Sequence, residues 1–506
     1  MKDISILFPD SIHFHERNFK SLFDLISRHN IQHTFIKDRN SWVAAYGNYS
    51  NFKNELNIFY RKLKNVNPHE LHEQSVNGIN LFNVCRNEAL TFFLPMPSFR
   101  QKIKNVPDNK KLLEIMYSVD KDALLLNLSA AWSWLEFWSE KLSQVKNHTY
   151  ACIFSGAQTY NTALLETLKT HPTTPLVMEH FFTGNEYYIE EKYEAIPNNT
   201  NLKHSNVYKT VNLEEDYFEL NRTKIKSINK VLLSKNKNVT QPTGDFIIEN
   251  NGKKVISIIG QVVNDFSIIC TAKYYLSSID FYIELIDKLL EDDGNFVVFK
   301  AHPWERQKNN IKTAMTLECI TKYVSKLAPD KSSRVFLTED FNLSDLIKQS
   351  DHIVTLCSQS AIEAAFIGVK PVQLGQAFYG KKGFTYDFDT IDDFISNLNS
   401  NKLNKTLSLD EYRSLEIFLV KFLEKSLVSI HKSGILSLEK KLRKVPHISL
   451  VKTVPPTQKS SNRVVVSVPK SSVTKKKIDK LKKDPKKFFI DSRYKLFNFI
   501  GKVAFK

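Results

Sequence analysis

Short apolar runs alternate with amphipathic segments along the first part of the chain, and this pattern predicts a mixed α/β fold. The runs have the length of buried strands, and the segments between them have helical spacing. Predicted strands cover residues 4–8, 33–36, 151–154 and 175–178, and predicted helices cover residues 18–28, 124–142 and 159–169. Because strands that alternate with helices usually form a parallel sheet, residues 1–205 are predicted to be a Rossmann-type domain.

A second alternating set follows a polar stretch that contains a turn signal, Gln241-Pro242-Thr243-Gly244. Predicted strands cover residues 254–259, 295–300, 333–336, 352–356 and 371–374, and predicted helices cover residues 275–290, 308–327, 343–349 and 361–367. Residues 206–250 are therefore predicted to cross between domains, and residues 251–405 to form a second Rossmann-type domain. Two such domains facing a central cleft resemble the GT-B architecture, which by itself establishes no chemistry.

The surplus of positive over negative charge is confined to the C-terminal segment of the chain. The 506 residues carry a net charge of +17. Residues 440–506 contain 20 Lys and Arg against three Asp, so this segment holds the whole surplus and residues 1–439 are neutral overall. A neutral body argues against an enzyme that binds nucleic acid in a basic groove, and no nucleic-acid partner is expected.

The C-terminal segment divides into three parts by composition. Residues 406–445 have helical spacing and are predicted to pack back on the body, and residues 446–474 resemble a linker. Residues 475–506 combine Lys-rich runs with aromatic and aliphatic residues. This basic amphipathic tail suits adsorption to an anionic membrane surface, and a solvated charge run that aids solubility is the alternative.

Targeting and cysteine patterns favour a cytoplasmic protein, and the basic tail favours a peripheral position on the inner face of a membrane. The N-terminal apolar run is too short for a signal peptide, and no segment reaches the roughly 18 apolar residues needed to span a bilayer. The five cysteines lie far apart without a C-x-x-C pair. Neither a zinc site nor a disulfide framework is therefore indicated.

The strongest chemical signal lies where the predicted strand at 352–356 ends. Ser358-Gln359-Ser360 begins a predicted helix there, which directs hydroxyls and backbone N–H groups into the crevice at the carboxyl end of a parallel strand. An anionic ligand is favoured at such a position. Ser360-x-x-Glu363 also fits a capping box, which needs no ligand, and on spacing alone both interpretations stay open.

Other predicted strands end in polar groups as well. Lys300-Ala301-His302-Pro303 ends the strand at 295–300, and a His there can donate to a phosphate without a metal, although His-Pro is often only a structured turn. Asp265 follows the strand at 254–259, where a loop Asp is commonly a helix N-cap. Glu179 and His180 follow the strand at 175–178 in the first domain.

Together these segments resemble the bacterial capsule-polysaccharide biosynthesis family that contains the retaining β-Kdo glycosyltransferases. The segments that carry the resemblance are Ser358-x-Ser360-x-x-Glu363-Ala364, Gly368-x-Lys370-Pro371-Val372, Gly375-x-Ala377-Phe378-Tyr379, Gly383-Phe384-Thr385-x-Asp387, Lys300-x-His302-Pro303, Gln261-Val262-x-x-Asp265-x-Ser267, and Glu179. Glu179 matches the leading residue of the family's E-x-G-[FY]-x-R element, whose Gly and Arg are absent here.

The resemblance implies a role for each of these residues. Asp265 would be the nucleophile, and Glu179 the general acid/base, with His180 as the fallback. A retaining double displacement needs one carboxylate nucleophile and a second group that shuttles the proton. His302 would be a further catalytic group. The nucleotide of CMP-Kdo would be bound by Gln261, Lys300, His302, Ser358, Gln359, Ser360 and Glu363.

The implied activity is transfer of Kdo from CMP-Kdo to a lipid-linked glycan acceptor in capsule or lipopolysaccharide biosynthesis, with retention. A transferase of another CMP-activated acid, such as sialic acid, is an alternative. The departures beside Glu179 also keep open a non-catalytic scaffold of the polysaccharide assembly machinery. No metal or other cofactor is expected, because the D-x-D at Asp387 and Asp389 precedes a predicted helix start and is interpreted as loop and cap.

The first domain would bind the acceptor. Ser155-Gly156-Ala157-Gln158, after the strand at 151–154, is a candidate part of that wall. Trp132, Trp134 and Trp138 have near-helical spacing, which favours core packing over stacking on sugar.

Overall fold

The computed structural model describes residues 3–103, 105–145, 147–213, 216–234, 242, 244, 246–307, 311 and 313–444. The predicted linker (446–474) and basic tail (475–506) lie outside the described residues and stay predictions. The strands, in chain order, are β1 Ser5–Phe8, β2 Gln32–Phe35, β3 Ser75–Val76, β4 Ile79–Asn80, β5 Tyr150–Phe154, β6 Thr174–His180, β7 Glu186–Glu191, β8 Lys254–Ile259, β9 Asn295–Lys300, β10 Val335–Thr338, β11 His352–Thr355, β12 Val372–Gln373, β13 Tyr386–Asp387 and β14 Val428–Ser429.

The α-helices, in chain order, are α1 Glu16–His29, α2 Lys53–Lys64, α3 Leu81–Phe93, α4 Pro97–Arg100, α5 Asn109–Val119, α6 Lys121–Gln144, α7 Thr159–Leu168, α8 Ser205–Thr210, α9 Tyr217–Leu232, α10 Phe266–Ile269, α11 Ser278–Leu289, α12 Met315–Val324, α13 Pro329–Ser332, α14 Leu343–Gln349, α15 Ser360–Phe366, α16 Ile391–Asn399, α17 Leu409–Leu419 and α18 Gly434–Lys444. A π-helical segment, Val420–Ser426, continues α17.

The first sheet has the strand order β2-β1-β5-β6-β7-β14. Its strands from β2 to β6 are parallel, whereas β7 and β14 are each antiparallel to the preceding neighbour. Alternate residues of β5 belong to different hydrophobic cores: Ala151 and Ile153 to one, Tyr150 and Cys152 to the other. Helices therefore cover both faces, as an apolar parallel strand requires.

The second sheet is parallel throughout, in the order β10-β9-β8-β11-β12-β13. Numbered within this sheet, the order is 3-2-1-4-5-6, which is the order of doubly wound dinucleotide-binding folds. The strand order reverses between β8 and β11. Ligands of such sheets bind outside the carboxyl ends of the strands at this switch point, where β8, β9 and β11 all end.

The predicted α/β class and the GT-B-like pair of Rossmann-type sheets are confirmed. Strands β8 and β9 have the predicted bounds, because each is a buried apolar run. The predicted helical return segment at 406–445 contains α17, the π-helical segment and α18, and before α18 Val428 pairs with Tyr187 and adds β14 to the first sheet. The predicted crossing at 206–250 contains α8 and α9.

The tryptophans of α6 serve mainly the core. Trp134 and Trp138 are buried, and the indole N–H of Trp138 donates to the carbonyl of Tyr160 at 2.8 Å. Trp132 is half-buried and donates to Glu136. Core packing is thus confirmed for Trp134 and Trp138. No helix of the described segments has both the length and the apolar character needed to cross a membrane.

Candidate active site between the two sheets

A cavity of about 280 Å³ opens at the carboxyl ends of β8, β9 and β11 and faces the end of β6. Eight of the nine predicted site residues line it, namely Gln261, Asp265, Lys300, His302, Ser358, Gln359, Ser360 and Glu363. The first sheet contributes His180, Phe181 and Phe182 to the opposite wall. The backbone N–H of Phe182 donates to the side-chain carbonyl of Gln359 at 3.1 Å, so a hydrogen bond crosses the cleft.

A second cavity, of about 240 Å³, adjoins the first, because His180, Asp265, Ser267 and Gln359 line both. Glu179, the ninth predicted residue, lines this second cavity together with Asp265. The two predicted catalytic carboxylates thus come from different sheets and line the same cavity. We call the first space the nucleotide cavity and the second the acceptor cavity, after the roles that the sequence analysis predicts for their residues.

Asp265 holds its carboxylate in a fixed orientation. One oxygen accepts from the backbone N–H of Ser267 at 2.8 Å and caps the short helix α10. The other accepts from the side-chain amide of Gln261 at 3.1 Å. The N-cap interpretation of Asp265 is confirmed, and the same residue also lines both cavities.

Gln261 connects Asp265 to the loop that follows β11. Its side chain is 4% exposed, and its carbonyl accepts from the backbone N–H of Cys357 at 2.9 Å. Its own backbone N–H donates to the hydroxyl of Tyr282 at 2.7 Å. The buried side-chain amide of Gln261 thus links the loop after β8 to the loop after β11.

Glu179 is the penultimate residue of β6, paired with Tyr188 on β7. Burial raises the pKa of Glu179 to about 7; hydrogen bonds from its neighbour His180 and from Ser155 and the charge of His13 oppose this, and the charge of Asp265 adds to it. A carboxylate with such a pKa can both take up and release a proton near neutral pH.

Ser358 and Ser360 form a hydroxyl pair at the wall of the nucleotide cavity. The Ser358 hydroxyl lies 3.1 Å from that of Ser360 and accepts from the Ser360 backbone N–H at 3.3 Å. Helix α15 begins at Ser360, with Gln359 at its N-cap and no side-chain capping bond. The capping box considered for Ser360 and Glu363 is therefore not formed, and both side chains face the cavity.

The basic side chains of the nucleotide cavity, Lys300 and His302, lie at the carboxyl end of β9. Lys300 is 4% exposed, and burial lowers its pKa to about 8 against the charges of Asp340, Glu339 and Glu363. Burial also raises the pKa of Glu363 to about 7, with the charge of Lys300 opposing it. The His302 Nδ1 accepts from the backbone N–H of Trp304 at 3.2 Å, so a neutral His302 ring carries its proton on Nε2.

The D-x-D carboxylates are engaged in loop structure. Asp387 accepts from the Gln373 amide at 2.7 Å and from the Lys381 backbone N–H at 3.0 Å. Asp389 accepts from Gln376 at 2.5 Å and from the Tyr274 hydroxyl at 3.1 Å. The part of the chain that the structure describes contains no group of three or more His, Cys, Asp or Glu placed to hold a metal; metal independence stays a prediction.

The sequence model of the capsule polysaccharide biosynthesis proteins matches residues 161–409, a stretch that contains all nine candidate residues. Residues 161–409 are therefore similar in sequence to the capsule polysaccharide biosynthesis family. This family region contains the whole second sheet and the end of β6. It begins within α7, so β1 and its following loop lie outside it.

Several solved structures are similar to this chain at low identity. The KpsC β-Kdo 2,4 transferase of Thermosulfurimonas dismutans is 18% identical, covers 58% of this chain and 87% of its own, and has a TM-score of 0.37. The KpsC β-Kdo 2,7 transferase of that organism is 16% identical, with coverages of 60% and 89% and a TM-score of 0.35. The UDP-forming α,α-trehalose-phosphate synthase of Burkholderia vietnamiensis is 7% identical, with coverages of 90% and 99% and a TM-score of 0.35. No curated protein sequence matches the chain.

Sequence reasoning missed the polar groups at the end of β1. Asp10 is 0% exposed, His13 lies beside it, and the hydroxyl of Tyr160 is hydrogen-bonded to both side chains. The signal that identifies them is the one used for the second sheet: polar residues directly after a buried parallel strand collect at the carboxyl edge. Ser155, named as a candidate wall residue, does line the acceptor cavity.

Proposed function

We propose that the protein is a retaining glycosyltransferase that moves Kdo from CMP-Kdo to a lipid-linked glycan acceptor in bacterial capsule or lipopolysaccharide biosynthesis. The observation that supports this most is the shared cavity of Asp265 and Glu179, which adjoins a cavity lined by Lys300, His302 and the two serines. The similarity of residues 161–409 to the capsule polysaccharide family agrees with a glycan acceptor.

The nucleotide cavity suits the phosphate of a CMP-sugar. Lys300 supplies a buried ammonium group, a neutral His302 supplies an Nε2–H donor, and Ser358 and Ser360 supply hydroxyls. A CMP-sugar has a single phosphate, whose charge a few positioned donors can balance without a metal-bound diphosphate.

In the first step, a carboxylate oxygen of Asp265 attacks the anomeric carbon of Kdo. The bond from that carbon to the phosphate oxygen breaks, and CMP leaves with the bonding electron pair. The hydrogen bonds from Gln261 and Ser267 fix the direction of the attacking carboxylate. The product is a glycosyl ester on Asp265, as double displacement with retention requires.

In the second step, an acceptor hydroxyl attacks the same carbon and the ester bond to Asp265 breaks. The hydroxyl proton passes to Glu179, whose pKa of about 7 suits a base at neutral pH. Glu179, whose pKa is raised by burial, thus acts on the acceptor, and Asp265, whose carboxylate is fixed by hydrogen bonds, acts on the donor. Transfer from the opposite face restores the original configuration.

The donor is tested by incubating the full chain with CMP-Kdo or CMP-sialic acid and a glycan acceptor and measuring CMP release. Faster turnover of CMP-Kdo is expected. Preference for CMP-sialic acid would favour the alternative donor, and CMP binding without turnover of either would favour the scaffold alternative. Unchanged turnover in excess EDTA is expected, because the proposed mechanism uses no metal.

The nucleophile is tested by intact-mass spectrometry. Glu179→Gln should slow the second step, so that a Kdo adduct accumulates on the protein in the presence of CMP-Kdo. The adduct should vanish in the double variant with Asp265→Ala, because no carboxylate remains to attack. Asp389→Asn is the matched control, an acidic residue outside both cavities whose variant should retain turnover; an adduct that survives Asp265→Ala would contradict the mechanism.

The proposed membrane partner is tested on residues 475–506. Deletion of this basic segment should abolish sedimentation with vesicles that contain anionic phospholipid while leaving turnover of a soluble acceptor intact. Its Lys residues would contribute on the order of 1 kcal/mol each at such a surface. Undiminished vesicle binding of the truncated chain would contradict the role of this segment.

A further inference from the structure

Helix α9 carries large apolar side chains on its solvent side. The residues that it buries are the small Thr223, Ser227 and Val231. Exposed apolar residues of the helix and of the position after it are Phe218 (78% exposed), Ile225 (58%), Leu232 (65%) and Leu233 (70%). A surface helix of a globular protein has the opposite arrangement, with its apolar residues turned to the core. An exposed cluster of large apolar side chains marks a contact with a partner or a membrane.

These apolar residues share one stripe of the helix with basic residues. Phe218, Ile225 and Leu232 are seven positions apart, which is close to two helical turns and places them on the same side. Arg222 and Lys226 lie between them on that side and are exposed. We call the stripe the α9 face; its members are Phe218, Arg222, Ile225, Lys226, Leu232 and Leu233.

The α9 face continues across a cavity of about 530 Å³ to the start of α18. Lys226 and Leu233 line one side of this cavity, and His431, Ser433 and Ser437 line the other. Exposed residues of this second stretch of chain are Lys432, Leu436 (64% exposed) and Lys440. The mixed apolar and basic surface is therefore not limited to one helix.

One end of the α9 face lies next to the wall of the catalytic cleft. The backbone carbonyl of Leu233 accepts from the side-chain amide of Asn185 at 3.4 Å, and the residue before Asn185, Gly184, lines the nucleotide cavity. Lys230 pairs with Glu424 at 2.8 Å and so joins α9 to the π-helical segment. A surface that binds the α9 face would therefore lie close to the loop between β6 and β7 at the cleft.

The exposed charges of this surface are mainly positive. Within α9 and residues 431–440, the exposed Lys and Arg residues are Arg222, Lys226, Lys432 and Lys440, and the one exposed acid is Glu219, which pairs with Arg222 at 3.4 Å. A second copy of the chain, or its own basic segment at 475–506, would bring like charges together here. An anionic surface complements them, and apolar residues flanked by Lys and Arg are typical of helices that lie in a membrane interface.

We propose that the α9 face contacts an anionic phospholipid bilayer, with its apolar side chains at the acyl boundary and its basic side chains against lipid phosphates. The inference goes beyond the proposed function, because it gives the folded body a membrane contact of its own beside the cleft. Stable attachment to a membrane takes two signals. The basic segment at 475–506 therefore holds the chain at the bilayer, and the α9 face sets its orientation there.

The test places a polarity-sensitive dye at position 225 of the full chain through Ile225→Cys. A C-terminal His tag and nickel-chelating lipid bring the chain to phosphatidylcholine vesicles that contain phosphatidylglycerol, so that recruitment does not depend on residues 475–506. The emission of the dye should then shift to shorter wavelength, and doxyl-labelled lipid should quench it. The chain without the introduced cysteine corrects for labelling at the half-buried Cys270 and Cys319.

Ile58 provides the matched control. It is 68% exposed on α2, but its neighbours on that side of the helix, Glu55, Arg61 and Lys62, are exposed and charged, so a dye on Ile58→Cys should neither shift nor be quenched. In vesicle sedimentation of the untagged full chain, Ile225→Ser with Leu232→Ser should lower the partition coefficient by about 10–100-fold, and Ile58→Ser should leave it unchanged. An unchanged coefficient in the double variant would overturn the proposal.

Three results of the dye experiment would also overturn it. The first is an unquenched dye at position 225, or equal quenching at position 58, in the recruited chain. The second is equal quenching in vesicles without phosphatidylglycerol, which would show that the surface need not be anionic. The third is a shifted dye without vesicles together with a dimer mass in light scattering, which would mean that a second copy covers the α9 face. No CMP-sugar enters the experiment, so its result is independent of whether the chain transfers Kdo.

Discussion

Replacing Gln261 by alanine removes the amide that joins the ends of β8 and β11. The side chain is 4% exposed, accepts from the Cys357 N–H at 2.9 Å and donates to Asp265 at 3.1 Å. The Cys357 N–H would lose its partner inside the protein, and Asp265 would keep only the bond from Ser267. Both stability and the chemical step should therefore respond.

The chain contains a matched control in Gln373. This residue is 2% exposed, accepts from the Ala377 N–H at 2.9 Å and donates to Asp387 at 2.7 Å, but it lines neither cavity. An unpaired buried N–H costs about 1–3 kcal/mol, and a bond to a charged group is worth about 1.5–3 kcal/mol. Because the two terms overlap, each Gln→Ala variant should lose about 2–4 kcal/mol of unfolding free energy.

The two variants should differ in catalysis. Urea unfolding followed by circular dichroism gives the stability loss, and CMP release at saturating donor gives kcat. Gln261→Ala should lower kcat by about 10–100-fold, equivalent to about 1.4–2.7 kcal/mol of barrier, since its loss frees the nucleophile to leave its attack direction. Gln373→Ala should change kcat little. Equal kcat values for the two folded variants would refute the view that Gln261 orients Asp265.

Two further predictions concern binding and backbone strain. CMP affinity, measured by calorimetry, should fall about tenfold between pH 7 and pH 9, because Lys300 has a pKa of about 8 and loses its charge across this range. Lys300→Met should bind CMP more weakly, with an affinity that does not fall across this pH range. Gly156→Ala should lower the free energy of unfolding in urea by about 1–3 kcal/mol, since φ is +78° and the new Cβ would lie 3.1 Å from the Ala195 Cα. Gly78→Ala, with φ +77° and nothing within 4 Å, should lower it less. Equal losses for the two variants would show that the contact with Ala195 is harmless.

The elements that the sequence predicts well are those whose hydrophobic pattern is complete within one short stretch of the chain. Strands β8 and β9 and helix α14 have the predicted bounds. No element is predicted between residues 37 and 123, where α2 to α5 lie. Helix α3 is buried on most of its surface, so its apolar residues lack the one-sided spacing that identifies a surface helix.

Strand β14 shows a different limit. It consists of two residues, and its identity as a strand depends on hydrogen bonds to Tyr187 and Glu186, more than 240 positions earlier in the chain. A local pattern in residues 406–445 cannot contain that partner, so helical spacing on both sides extends the predicted helix across it. The same reasoning applies to the site: motif order predicts which strand ends matter, whereas the bond between Phe182 and Gln359 is set by packing of the two sheets.

The different environments of the two carboxylates argue for the division of labour between them. Asp265 accepts two hydrogen bonds, at 2.8 and 3.1 Å, from groups fixed to β8 and α10, which is how a nucleophile is kept aligned through a displacement. Burial raises the pKa of Glu179 to about 7, which a nucleophile does not need but a proton carrier does. When environments separate two carboxylates in this way, the separation assigns the roles. Exchanging them, with Asp265→Glu and Glu179→Asp together, should therefore slow transfer, because each carboxylate is displaced by one methylene, but should leave the glycosyl ester on residue 265. Each role belongs to the surroundings and not to the type of carboxyl side chain, so an ester found on residue 179 would contradict this assignment.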